Sequence, residues 1–471
     1  MNIKKLITIS VMISLVTSNI IPLSCYAKER GGSFIHHQKN KKVIPVDPKV
    51  EYMNLKWWDR FNDPILTGYI IKAADSNYDI KINSLRVKES EAYVREAFGK
   101  ELPNLMLNAN YMRQKHSGNL PMGSFKFPSY TQTNINFPLN VNYEIDIWGK
   151  NRTNTKKVKK ELDVVKHEEK SQFISLTSTV ASVYFNVLNT DKQIQKQKEL
   201  VAIRKEILEL IKEKYDYGLV SATEVTIADK AYTESISGLE VLEKQQNILL
   251  NQLAILIGDS SEDSLKLKRS SIDDIKLLGD LPITVPADIV DQRPDILRAE
   301  AQLQSAVLDV SLAKKNFLPS INLSGISGFN ANSMSSLINW QSYVLSAGAG
   351  LVQPIFTGGQ TVARLKAKKY KYEQLLENYQ KTILTSIQEV NDSLVAIKFD
   401  TMKNNNDLKR IELEKIHLNS VNYKYEKGAV SYLDTLQYKE NLLVLEMQQI
   451  QSKTDCLIDS LSLYKSVGGK L

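Results

Sequence analysis

The sequence predicts a mixed α/β membrane protein in which the strands of a β-barrel continue into a barrel of long helices. Three observations carry this. One turn occurs twice, as YDYGLVSATEV at 215–225 and YEKGAVSYLDT at 425–435. The 13 prolines leave two long gaps, between Pro138 and Pro282 and after Pro354, and each gap holds one copy of the turn. At the head of the first gap, TQTNINFPLNVNYEIDI (131–147) alternates apolar and polar residues without a break.

The chain begins with Lys4 and Lys5, an apolar run from Leu6 to Ile21 and then small residues, the layout of a secretory signal peptide over residues 1–27. Two processing sites are compatible with it. Cys25-Tyr26-Ala27 fits an ordinary signal peptidase, and Ser24-Cys25 resembles a lipoprotein box with Cys25 as acyl acceptor. A polar periplasmic arm is expected over residues 28–60. Of the 471 residues, 42% are apolar and 24% charged, a globular composition without a low-complexity linker. The net charge of +8 is spread over helical stretches mixed with Glu and Asp, which describes solvated faces and argues against nucleic acid. After the signal no window approaches the ~18 unbroken apolar residues of a membrane helix, so entry into a membrane has to be by strands.

A first repeat is expected over residues 61–258. NLMLNANYM (104–112) places Leu105, Leu107, Ala109 and Tyr111 on one face, and 131–147 places Ile135, Phe137, Leu139, Val141, Tyr143, Ile145 and Ile147 on one face. Together they predict a β-hairpin over 104–147 with a loop at about 113–130. Leu200, Ile203, Ile207 and Leu210 then mark a coiled-coil seam on a helix running from about Asn154 to Asp216, on the order of 95 Å long. Gly218 suits the left-handed position past its end, and Ser221 with Glu224 three residues on suits a capping box opening the partner helix, Ala222 to Ile257. An equatorial connector covers 259–286. A second repeat, 287–471, follows the same plan: a hairpin over 319–354, a helix from about Val362 to Glu426, a turn at Gly428, Ser431 and Asp434, and a helix to Val467.

The strand runs match the ~9–11 residues of a tilted transmembrane strand, with Tyr111, Tyr130, Tyr143, Trp340 and Tyr343 placed as an aromatic girdle. Two hairpins give four strands, which cannot close alone, and an open edge in lipid leaves backbone groups unpaired. The chain is therefore expected to oligomerise.

WWDRFNDPIL (57–66), LPNLMLNANY (102–111), YEIDIWGKNR (143–152), VPADIVDQRPDILRAEAQL (285–303), FLPSINLSG (317–325), QPIFTGGQ (353–360), GAVSYLDTL (428–436) and LYKSVGG (463–469), with the first hairpin turn, resemble the TolC-like outer-membrane factors, specifically the NodT-type lipoproteins of resistance-nodulation-division (RND) efflux systems. The resemblance covers nearly the whole mature chain. It implies a homotrimer whose twelve strands form one barrel in outer-membrane lipid and whose helices cross the periplasm as a tunnel, docking on a periplasmic adaptor and an inner-membrane RND-type pump. It implies a passive exit duct for drugs or other toxic small molecules, with no cofactor. At the helix tips it implies a periplasmic gate, with Glu224 at an acidic iris position, Leu433 at an apolar one and Asp434 at one that is acidic in some members. Gln437 stands where aspartate is common, and Glu440 where some members have arginine.

Two further readings fit parts of the pattern. A type I secretion exit channel would share the fold, and a periplasmic coiled-coil scaffold without a pore would share the helices but needs no lipid-facing stripe. Capping alone accounts for the spacing of Glu224 and Asp434. Cys456 reads as a small packed residue. The histidines at 36, 37, 116, 167 and 417 lack metal-site spacing, LSGISGF lacks the spacing of a nucleophile elbow, and TGGQ lacks the lysine of a phosphate loop. No metal site and no enzyme activity are expected.

Overall fold

The chain divides into Met1–Met53 and Asn54–Leu471. The computed structural model describes residues 57–119, 128–277 and 291–469, all in the second unit. The expected signal peptide with Cys25, most of the arm 28–60 and part of the connector 259–286 lie outside the described residues.

A short 3-10 turn, Trp57–Phe61, leads into α1 (Pro64–Ser76) and α2 (Tyr78–Gly99). Asp63 caps α1, its carboxylate accepting from the N–H of Ile65 at 2.8 Å and Leu66 at 3.2 Å, and Pro64 occupies the first turn where its missing N–H costs nothing. Then come β1 (Asn104–Leu107), β2 (Asn110–His116), β3 (Tyr130–Ile145), α3 (Lys150–Asp216) and α4 (Ala222–Leu256). The second half contains α5 (Pro294–Lys315), β4 (Ser320–Ala331), β5 (Tyr343–Val352), α6 (Gln360–Glu426) and α7 (Tyr432–Ser466).

All strand pairs are antiparallel, in the order β1/β2, β3, β4, β5. The run expected as one strand at 104–112 is interrupted at Asn108 and Ala109, although β1 and β2 continue in one register along β3. The cause is Pro138: Asn108 donates its N–H to the Pro138 carbonyl at 3.0 Å, and proline has no N–H to return. On the other side, a Cβ at Gly328 would stand 2.3 Å from the Phe137 carbonyl oxygen, so only glycine lets β4 approach this kink. The loop between β2 and β3 is shorter than expected, because β2 continues to His116, whose ring stacks on Tyr130 at 4.5 Å. β3 stops at Ile145, short of Ile147. There the Asp146 carboxylate turns to accept from the N–H groups of Asn151 (3.1 Å) and Arg152 (2.9 Å) at the start of α3.

Odd-numbered residues share one face, and Leu105, Leu107, Leu139, Leu345 and Leu351 are exposed on it. Ile135 departs from that stripe. It is buried against Ala331 and under Leu337 of the β4–β5 loop, which folds back over the strand ends. The opposite face carries asparagines and serines but also Met106, Met112 and Ile326.

α3 and α6 are 67 residues each, about 100 Å of helix, and both start earlier than expected, after the left-handed Gly149 and Gly359. In its first part α3 is bridged to α2 (Lys166 to Glu91, 3.7 Å) and α5 (Lys157 to Asp309, 3.3 Å). Further along it meets α4 (Lys198 to Glu243, 3.7 Å) and α7 (Lys196 to Glu446, 2.8 Å). α6 likewise meets α5 (Lys368 to Asp309, 2.7 Å) and then α7 (Lys403 to Asp455, 3.3 Å). The described chain is thus a strip four elements wide, through strands and helices alike.

The core sits midway along α3, where Val180, Tyr184, Phe185 and Leu188 pack with Trp57, Trp58 and Phe61 and with Leu253, Leu457 and Tyr464 near the ends of α4 and α7. Tyr184 donates to the Asp63 carboxylate at 2.8 Å, tying the N-terminal turn to α3. In the second half Arg293, 6% exposed, donates to the carbonyl of Ser466 (2.6 Å) and to Glu389 (2.6 Å), joining the start of α5 to α7 and α6.

Candidate functional site at the helix-hairpin tips

Both hairpin tips are built by the same backbone device. At the end of α3, Gly218 (φ +69) donates to Tyr215 O at 2.8 Å and Leu219 to Lys214 O at 2.9 Å. At the end of α6, Gly428 (φ +72) donates to Tyr425 O at 2.8 Å and Ala429 to Lys424 O at 2.9 Å. These paired bonds form a Schellman motif, whose left-handed residue favours glycine.

The turns then differ. Ser431 and Asp434 form the capping box that opens α7: Asp434 N–H donates to the Ser431 hydroxyl oxygen at 3.2 Å, and Ser431 N–H donates to Asp434 Oδ2 at 2.8 Å. The Ser431 hydroxyl and N–H hold the Asp434 carboxyl below the usual aspartate range. The box expected at Ser221 and Glu224 does not form. Ser221 makes no side-chain cap bond, and Glu224 N–H donates to the Ser221 carbonyl at 3.1 Å. Both residues are exposed. Glutamate is an ordinary partner in such a box, and here the Glu224 side chain stays in solvent.

Along α7, Leu433 is half-buried and Gln437 exposed. Glu440 is engaged: Arg204 of α3 donates to Glu440 Oε1 through Nε at 2.8 Å and Nη2 at 2.7 Å, and through Nη1 to Ala231 O of α4 at 3.0 Å. One guanidinium therefore clips three helices together. Closer to the tip, Tyr432 donates to Glu206 Oε1 at 2.8 Å, a second tie between α7 and α3. Arg204 and Glu206 do not stand out in the sequence. The available signal is Arg204 four residues after Leu200, a charge on an apolar seam that needs a partner.

Elsewhere the described residues offer little chemistry. They contain no group of three or more His, Cys, Asp or Glu placed to hold a metal ion, and no helix among them is long and apolar enough to cross a membrane. Cys456 is buried, and burial pushes its thiol up to about 11.

The family model for "Outer membrane efflux protein" matches residues 70–259 and 285–469, most of the chain and both of its halves. This chain belongs to that family. Among curated relatives, it is 27% identical over 418 residues to the pyoverdine export outer membrane protein OpmQ of Pseudomonas aeruginosa, covering 88% of this chain and 87% of OpmQ. It is 25% identical over 395 residues to nodulation protein T of Rhizobium leguminosarum bv. trifolii, covering 83% and 82%. Among solved structures, the Campylobacter jejuni CmeC outer membrane channel superposes with a TM-score of 0.81 at 24% identity, covering 93% of this chain and 91% of CmeC. The fold of this efflux protein is that of TolC-like outer-membrane channels. The protein is located in the outer membrane as a component of an efflux system.

Proposed function

We propose that three copies of the chain close a twelve-strand barrel and a tunnel of helices, the passive exit duct of a tripartite pump. Drugs or other toxic small molecules would reach it from an inner-membrane RND-type pump through a periplasmic adaptor, and the pump would supply energy and selection. The observation that supports this most is the pair of open edges: among the described residues, β1/β2 and β5 each have a strand neighbour on one side alone. Four strand lines are too few to close, since the smallest barrels have about eight, and an open edge in lipid leaves N–H and C=O groups unsatisfied. Light scattering on full-length protein extracted from outer membranes tests this: the detergent-corrected mass is expected near three protomers, and a soluble periplasmic protein of another size would sink the duct.

At the periplasmic mouth, three copies each of Glu224 and Asp434 would form acidic rings that favour cations, with Leu433 as an apolar ring and Gln437 and Glu440 further along α7. The Arg204–Glu440 and Tyr432–Glu206 ties would hold α7 against α3 until the adaptor loosens them. Single-channel recording of Glu224→Ala and Asp434→Ala should show reduced cation selectivity and weaker block by divalent cations. Unchanged selectivity would remove the rings from the gate.

A further inference from the structure

The two longest helices begin with charges that oppose a helix start. From Lys150 to Lys160 α3 has six cations and no acid, and from Gln360 to Tyr372 α6 has five and no acid. The N–H groups at a helix N-terminus favour acids, so the helices' own electrostatics disfavour this placement. An anion outside the chain would reverse the balance.

These cations divide between two faces. Lys150 bonds Glu144 at 3.5 Å, and Glu144 is even-numbered, on the sheet face opposite the apolar stripe. At about 100° per residue, Lys157 lies on the same side of α3 as Lys150. Charges there are compensated: Lys157 and Lys368 of α6 share Asp309 at 3.3 and 2.7 Å. Arg152, Lys156 and Lys159 fall about 180–240° from Lys150, on the side that continues the apolar stripe, and all three are exposed. Lys366 and Lys369 of α6 stand 210 positions after Lys156 and Lys159, at the same place in the repeat, and are exposed as well. Between the two helices, the end of α5 adds Lys314 and Lys315. Burial, then Lys369, hold the Lys314 ammonium below the usual lysine range. Burial lowers Lys315 too, Asp146 offsets part of this, and Arg152 and Lys156 lower it further. In this collar Arg152 reaches an acid, Asp146 at 3.4 Å, and among the described residues its other cations form no ion pair.

The collar starts where the strands end. Trp148 between β3 and α3, Phe317 between α5 and β4, and Phe356 between β5 and α6 are 44%, 37% and 89% exposed. Aromatic rings at such a level suit the boundary between hydrocarbon and headgroups. Lys159 lies nine residues past Lys150, about 14 Å, so the collar spans the headgroup layer below that boundary.

We infer that this collar docks anionic phospholipids of the membrane leaflet nearest the helices, their phosphate oxygens pairing with the cations of α3, α5 and α6. This rests on the barrel in lipid proposed above and adds the lipid class that its helix end binds. A zwitterionic headgroup brings its own ammonium and leaves the collar uncompensated, whereas a headgroup of net negative charge neutralises it.

Competition between two lipids tests this. Full-length protein extracted from outer membranes is stripped of lipid in detergent and offered equimolar phosphatidylglycerol and phosphatidylethanolamine. Native mass spectrometry should find phosphatidylglycerol retained in about fivefold excess or more. Lys156→Gln, Lys159→Gln, Lys366→Gln and Lys369→Gln combined should bring the ratio near one. Lys205→Gln, Lys230→Gln, Lys266→Gln and Lys409→Gln combined, which removes as many exposed cations away from the strand ends, should leave it unchanged. Equal retention of both lipids by the unaltered protein, or full preference in the collar variant, would overturn the inference. Inorganic phosphate at the lipid concentration should not compete, and displacement of the lipid by it would make the collar a free-anion site and refute the lipid. Protein that enters vesicles of neither lipid would instead overturn the barrel on which the inference rests.

Discussion

Gly428 holds φ +72, and a Cβ added there would meet no atom within 4 Å. Its glycine is thus required by the backbone alone and not by packing. Gly428→Ala should cost about 1–2 kcal/mol, read as faster hydrogen exchange of the Ala429 amide, with little effect on oligomer mass. The same reasoning from φ makes both tip glycines legible in sequence, since a glycine closing a long amphipathic run marks a left-handed helix end. Whether Glu224 would cap was not legible. Its spacing matches that of Asp434 and glutamate suits the position as well as aspartate, so no local pattern separates the two turns. Glu440 was legible as a tip residue but not as the acceptor of Arg204, because 236 residues separate the two and no local pattern links them.

At the scale of elements, the contact between α6 and α7 contains an acidic group. Burial, then Asp400 and Asp455, push the Asp459 carboxyl up to about 7. The buried Cys456 lies beside it, and Asp455 is itself bridged to Lys403 of α6 at 3.3 Å. Because the folded value lies above the ordinary value of about 4, the folded state binds the extra proton. Stability from this group is full below about pH 4 and is lost as pH rises through about 7. Asp459→Asn should therefore raise the thermal midpoint at pH 8 and leave it nearly unchanged at pH 4, which differential scanning at the two pH values would check. An equal shift at both would mean that packing and not the proton decides. Element boundaries followed the same division. The ends of α3 and α6 were readable from their glycines, whereas the break between β1 and β2 came from Pro138 on the opposite strand, outside any window that contains residues 104–112.

At the scale of the whole molecule, the strip of four strands and the rows of helices below it share their edges. The outward apolar stripe gives a direct test. Leu139→Arg, on that exposed face, should destabilise the folded barrel by about 2–4 kcal/mol, while Asn140→Arg, on the other face, should be tolerated and change conductance. Urea titration of the two variants in lipid, together with their single-channel currents, would check this, and equal tolerance would remove Leu139 from the lipid face. Ile135 would escape such a test, since the β4–β5 loop covers it. That loop carries no alternation of its own, and its fold over Ile135 follows from the Leu337 contact.

By itself the sequence determined the period of each segment, and period decides type: alternation at 131–147, three-and-four spacing in the long helices, and a glycine at each helix-hairpin tip where φ turns positive. It also determined the duplication, and with it the need for further strands to complete a barrel. Only the tertiary structure decided which residues meet. It paired Arg204 with Glu440, placed Asp63 under Tyr184, interrupted β1/β2 opposite Pro138 and left one capping box open. The physical reason is that periodicity is a local property of backbone geometry. Hydrogen bonds, ion pairs and buried contacts depend on distances between elements far apart in the chain, which no local pattern encodes.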